Sequence, residues 1–108
     1  KDEHEDARRA QREAVTAGLA AWQSDDKQVS TYRDKLLPLV ADRSRTALAA
    51  YRGGGSLQPW LEARRDEIDT RVAYAKALAA WGTAWAQLAY LLPEQNPPRA
   101  INLPEQLL

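Results

Sequence analysis

The sequence predicts an all-α fold: a long antiparallel two-helix coiled-coil hairpin followed by an extended proline-rich C-terminal tail. Three observations carry this prediction. Apolar residues recur at alternating three- and four-residue steps along most of the chain, the signature of helices packed along a shared seam. One glycine cluster, Gly53-Gly54-Gly55, divides the pattern in two. Alanine is abundant while large aliphatic residues are sparse, which suits close helix packing better than a bulky globular core. The implied organisation is a hairpin over residues 1–92, with helices at about 2–52 and 57–92 and a turn at 53–56, and a tail over 93–108.

The first helix opens with acids, Asp2, Glu3 and Glu5, which complement the positive end of a helix dipole. Its apolar track reads Val15, Leu19, Trp22, Val29, Leu36, Val40, Ala47 and Ala50. Asp26, Arg33 and Arg43 occupy the missing steps, so the stretch Ser24 to Lys35 is expected to be weakly buried or to face water. Pro38 lacks a donor and crowds the preceding turn, which predicts a kink or short break near Leu36-Leu37. A second track, Leu37, Ala41, Ser44, Leu48 and Tyr51, runs beside the first.

Three consecutive glycines permit positive φ and end the helix, and Ser56 can cap the next one, with Pro59 tolerated in its first turn. The second helix also carries two tracks. Ile68, Val72, Ala75, Ala79, Gly82, Ala86 and Ala89 form a mostly small one; Tyr74, Leu78, Trp81, Trp85, Leu88 and Leu92 form a bulky one. Two adjacent seams imply a helix gripped on two sides, and hence partner helices from a larger protein or from other copies. Beyond Leu92, the proline density of 93–108 disfavours helix and predicts an extended tail.

Composition narrows the function. Fifteen Lys and Arg balance fifteen Asp and Glu, so no net field draws the chain to nucleic acid or an acidic membrane. The absence of cysteine excludes disulfides and thiolate metal sites. No apolar run approaches the roughly 20 residues that span a bilayer, so no membrane contact by this segment is expected. The chain holds no Met and begins at Lys1, which suggests processing or excision from something longer. His4 is the only histidine and lies among acids, so neither a metal site nor a nucleophilic triad can be assembled around it. The glycine run follows a helix and lacks the Gly-Lys-Ser or Gly-Lys-Thr of a phosphate loop. No enzyme activity and no cofactor are expected. Arg52, Arg64, Arg65 and Arg71 interleave with Glu62, Asp66, Glu67 and Asp69, which reads as a solvated face of offset opposite charges. Trp22, Trp81 and Trp85 read as packing anchors, with Leu36, Val40, Leu48, Ile68, Val72, Leu78 and Leu88; Trp60, beside the turn, is the tryptophan placed to be exposed for a partner.

Tyr32, Leu36-Leu37-Pro38, then Ala49-Ala50-Tyr51-Arg52-Gly53-Gly54, then Leu61-Glu62-Ala63-Arg64-Arg65, together resemble the TolC-like outer-membrane efflux factors. Those proteins commonly read Tyr, two residues, Gly, a short polar turn, then Leu-Asp-Ala and a long Ala-rich helix. The stretch Trp85-Ala86-Gln87-Leu88-Ala89-Tyr90-Leu91-Leu92-Pro93 looks most like their heavy-metal, CzcC- and CusC-like branch. The resemblance covers Tyr32 to Pro93. It implies a homotrimeric parent with a β-barrel in the outer membrane and an α-helical tunnel across the periplasm, of which this segment is the second hairpin. It further implies that Tyr51, Arg52, Gly53, Gly54, Gly55, Ser56, Trp60 and Glu62 lie at or near the tip, where a periplasmic adaptor protein docks and links the channel to an inner-membrane RND pump. The turn is slightly shorter than the usual pattern, Pro59-Trp60 is atypical there, and Glu62 stands where the family has Asp, which bears on gating roles rather than on the hairpin. Two other readings fit the same heptads: the hairpin of the adaptor itself, which should be flanked by lipoyl-like strand sequence absent here, and a self-associating helical scaffold.

Overall fold

The computed structural model describes residues 2–92; the expected extended tail at 93–108 lies outside the described residues. Helix α1 spans Asp2–Thr31, a π-helical segment spans Tyr32–Leu36, α2 spans Leu37–Arg52 and α3 spans Gln58–Tyr90. No strand occurs among the described residues, and the fold class is the expected all-α hairpin.

Of the kink or short break expected near Leu36-Leu37, the break does not occur, and a π segment stands immediately before it. Leu36 (φ −77°, ψ −44°) and Leu37 (φ −62°, ψ −47°) stay in the right-handed helical region, and the chain passes from α1 into α2 through the π segment. There the Leu37 N–H donates to Tyr32 O, five residues back. Pro38 has no N–H to offer the Asp34 carbonyl, and one widened turn before it relieves the ring's crowding without ending the helix. Side chains also support this turn: Thr31 Oγ1 donates to Lys27 O at 3.0 Å and Arg33 Nε to Asp34 Oδ1 at 2.9 Å.

The π segment adds a residue to the phase of the helix. Before it, Asp25, Val29 and Tyr32 face inward; after it, Leu37, Val40, Ser44 and Ala47 do. The step from Tyr32 to Leu37 is five residues where a heptad would use four, and the wider turn absorbs the extra one. This corrects the expectation that Ser24 to Lys35 is weakly buried, because Val29 within it is only 6% exposed.

The turn forms where the glycines place it. Gly53 N–H donates to Ala49 O, Gly54 N–H to Tyr51 O and Gly55 N–H to Ala50 O, at 3.0, 3.0 and 2.9 Å. The last two are the paired bonds of a Schellman C-cap. Gly54 has φ +101°, a conformation L side chains avoid. At Gly55 an added Cβ would stand 2.8 Å from the Ala50 carbonyl oxygen, so this position needs glycine for space. Helix α3 then starts with Leu61 N–H on Leu57 O at 3.1 Å, while Ser56 Oγ accepts from Gln58 N–H at a long 3.4 Å.

The described residues fall into two compact units. In the turn-proximal unit, Asp25–Ala80, α3 turns Trp60, Ala63, Glu67, Thr70, Tyr74 and Ala77 inward, an unbroken alternation of three- and four-residue steps. Its buried residues are Val29, Val40, Ser44, Glu67 and Ala77, and Tyr32 and Tyr74 meet with ring centroids 6.5 Å apart. In the terminal unit, residues 2–24 with 81–92, Trp81, Ala84, Leu88 and Leu91 keep the same spacing, and Val15, Gly18 and Trp22 are half-buried. Trp22 and Trp81 pair with centroids 6.5 Å apart, and Gly18 leaves room for the Leu88 and Leu91 side chains.

Candidate functional site

Around the turn, the structure brings together most of the residues expected at the tip. Tyr51 and Trp60 stack across the loop, rings nearly parallel at 7° and centroids 6.3 Å apart. That contact corrects the expectation of an exposed Trp60: the indole is half-buried against Tyr51, and Tyr51 is the more open ring. Arg52, Gly53, Gly54, Gly55 and Ser56 are all exposed. Glu62 is exposed too, and accepts from Gln58 Nε2 at 3.2 Å within the first turn of α3. The tip thus offers an aromatic pair, a cation and a glycine loop whose bare backbone a partner can approach closely.

In the turn-proximal unit, Leu61, Ile68 and Val72 are exposed on the face of α3 away from its seam, and Leu78 is exposed at the seam's edge. Leu36 and Leu39 are exposed on the first helical arm, whereas Val40 is buried and Leu48 half-buried. In the terminal unit Trp85 is 51% exposed, while Trp22, Trp81 and Leu88 are half-buried. The hairpin's own seam therefore runs along neither of the two α3 tracks read from the sequence. In the turn-proximal unit it takes Tyr74 from the bulky track with the smaller Thr70 and Ala77 and leaves Ile68, Val72 and Leu78 outside; in the terminal unit it takes Trp81 and Leu88 with Ala84 and leaves Trp85 outside. The Trp22 indole N–H is buried without an acceptor among the described residues.

Glu67 is the residue that sequence reasoning misplaced. Grouped there with solvated charges, it is 6% exposed and occupies a seam position. Arg64 Nη1 donates to one carboxylate oxygen at 2.8 Å and Arg71 Nη2 to the other at 3.1 Å. These hydrogen bonds hold its carboxyl below the usual glutamate range, against the opposing effect of burial, and the Ser44 hydroxyl facing it from α2 acts in the same direction. The legible signal was the spacing: arginines three residues before and four after a glutamate reach it from one face of a helix, and Glu67 lies one heptad from Trp60 and from Tyr74.

An open groove of about 540 Å³ in the terminal unit is lined by Arg8, Gln11, Arg12, Val15, Thr16, Leu91 and Leu92. Among the described residues no cluster of His, Cys, Asp or Glu could hold a metal ion, and His4 is exposed on α1. No helix among them is long and apolar enough to cross a membrane. Compared with known proteins, the chain matches no family model, no curated protein and no solved structure.

Proposed function

We propose that the chain is a helix-packing module whose outer face is covered by other helices, and specifically the second periplasmic hairpin of a TolC-like outer-membrane channel from a tripartite heavy-metal cation efflux system. The observation that carries this reading is that Leu61, Ile68 and Val72 are exposed on the face of α3 turned away from its filled seam, with Leu78 exposed at the seam's edge. One apolar seam suffices to close a hairpin; a second apolar row on the same helix calls for a second neighbour. The resemblance from Tyr32 to Pro93 supplies the finer assignment. On it, α2 and α3 are tunnel helices with neighbours on both sides, and the loop from Gly53 to Ser56, with Tyr51, Arg52, Trp60 and Glu62, is the tip that meets the adaptor. The channel is a passive conduit on this reading, so its residues position and pack and none performs chemistry.

The test is site-specific photo-crosslinking in periplasmic extract, with the probe at Ser56 and a control probe at Ala14, both exposed, and captured proteins identified by mass spectrometry. An efflux adaptor caught at Ser56 and absent at Ala14 supports the docking tip. Capture of the chain alone, or of nothing at either position, favours the self-associating scaffold, for which the exposed Trp85 beside Gly82 and Ala86 is the best contact surface.

A further inference from the structure

We propose that Glu67 and Ser44 form a register lock, a polar pair in the seam that selects one alignment of α2 against α3 over alignments slipped by a heptad. The apolar pattern alone does not make this choice. In the turn-proximal unit, α2 offers Leu37, Val40, Ser44, Ala47 and Tyr51, and α3 offers Trp60, Ala63, Glu67, Thr70, Tyr74 and Ala77. Both lists repeat every seven residues, so a slip of seven returns seam residues to seam positions. Three adjacent glycines in the turn add to the freedom, since unwinding one helical turn beside them frees the chain to slip.

Polarity breaks the degeneracy. Arg64 and Arg71 lie on the same helix as Glu67, so they travel with the carboxylate and neutralise it in every register. What changes on slipping is the α2 residue opposite. In the observed alignment it is Ser44, buried, small and able to donate to the carboxylate. One heptad either way puts Leu37 or Tyr51 there instead, and sets the Ser44 hydroxyl against Trp60 or Tyr74. Leucine offers the carboxylate no hydrogen bond, and either side chain crowds a space shared with two arginine heads. A buried polar group at one seam position specifies register at some cost in stability, and that is its best-attested use in helical pairs.

The experiment measures register directly in the full chain. Because the chain has no cysteine of its own, spin labels attach cleanly at two introduced cysteines, Asp42→Cys on α2 and Lys76→Cys on α3, both at exposed positions of the turn-proximal unit. Electron paramagnetic resonance then gives the distribution of distances between them. A slip of seven residues moves one label about 10 Å along the other helix. The parent chain is expected to show one narrow distance. Glu67→Leu is expected to remain helical with an equal or higher melting temperature, and to show added distances displaced by up to about 10 Å. Glu67→Gln keeps a hydrogen-bonding group opposite Ser44 and is expected to retain the single distance. A Glu67→Leu chain that keeps the parent's single distance overturns the proposal. So does one that loses its helix, which would make Glu67 necessary for folding rather than for selection, and so does a Glu67→Gln chain with displaced distances.

Discussion

The two units of the hairpin use the same heptad spacing and reach different degrees of closure. Among the described residues, the turn-proximal unit buries Val29, Val40, Ser44, Glu67 and Ala77, and the terminal unit buries Ala84 alone. The turn-proximal unit is tied by the Schellman loop, the Tyr51–Trp60 stack and the Glu67 ion pairs. The terminal unit relies on the Trp22–Trp81 pair and on Leu88 and Leu91 lying over Gly18, and all of α1 from residue 2 to residue 14 is exposed. Those first turns hold their helical form through Ala, Arg, Gln and Glu, which favour helix without packing, and through Asp2, Glu3 and Glu5 at the positive end of the dipole. One helix can therefore be held by packing at one end and by local preference at the other.

Glycine substitutions separate the two regimes most strongly. Gly55→Ala forces a Cβ to within 2.8 Å of the Ala50 carbonyl oxygen, and the C-cap must distort at a cost of order 1–3 kcal/mol. Thermal unfolding should show a lower midpoint. Gly53→Ala, whose Cβ meets the Ala49 and Ala50 carbonyls at ordinary 3.5 and 3.6 Å contact, should be nearly silent. In the terminal unit the sign reverses. An added methyl at Gly18 would touch Leu88 and Leu91 at 3.5 and 3.6 Å, and one at Gly82 would touch nothing. Each Gly→Ala change there should stabilise by roughly 0.5–1 kcal/mol through helix propensity. A destabilised Gly18→Ala chain would show that the Leu88–Leu91 packing tolerates no displacement.

Acid should act on the turn-proximal unit through Glu67. Its carboxyl titrates below the ordinary glutamate value in the folded chain, because Arg64 and Arg71 on α3 and Ser44 on α2 favour the charged form. The stability this supplies is complete above the unfolded-state pKa and is lost as pH falls through the folded one. Glu67→Gln should flatten the corresponding part of the stability–pH curve, read by chemical denaturation at a series of pH values; a curve of unchanged shape would assign the acid sensitivity elsewhere. The smallest effect is expected at Trp22. Its indole N–H is buried with no acceptor among the described residues, so Trp22→Phe removes an unsatisfied donor as well as packing area, and the two changes offset to within about 1 kcal/mol. Hydrogen exchange offers a check that leaves the sequence untouched: amides of residues 2–14 should exchange faster than those around Val29 and Val40.

Much of this molecule can be read from short-range rules. The all-α class, the single turn at the glycines and the two helical arms follow from periodicity and from residues that act within a few positions of themselves, such as Gly54 at positive φ or Pro38 without its donor. The same rules reach less far in two places. Pro38 predicts a kink or short break, and the helix answers with a π turn at Tyr32–Leu36. The apolar tracks of α3 do not by themselves say which face meets the hairpin's other arm, and Ile68, Val72, Leu78 and Trp85 stay exposed outside that contact. On α3 the two apolar tracks stand only a fraction of a turn apart, and both keep coiled-coil steps. Which face of α3 meets the first arm depends on the facing side chains, Glu67 with Arg64 and Arg71 among them, and on the one-residue phase shift between Tyr32 and Leu37. Helix identity is local in origin and so is written in local sequence. The choice of face is set by residues far apart in the chain, and it becomes visible only once those residues meet.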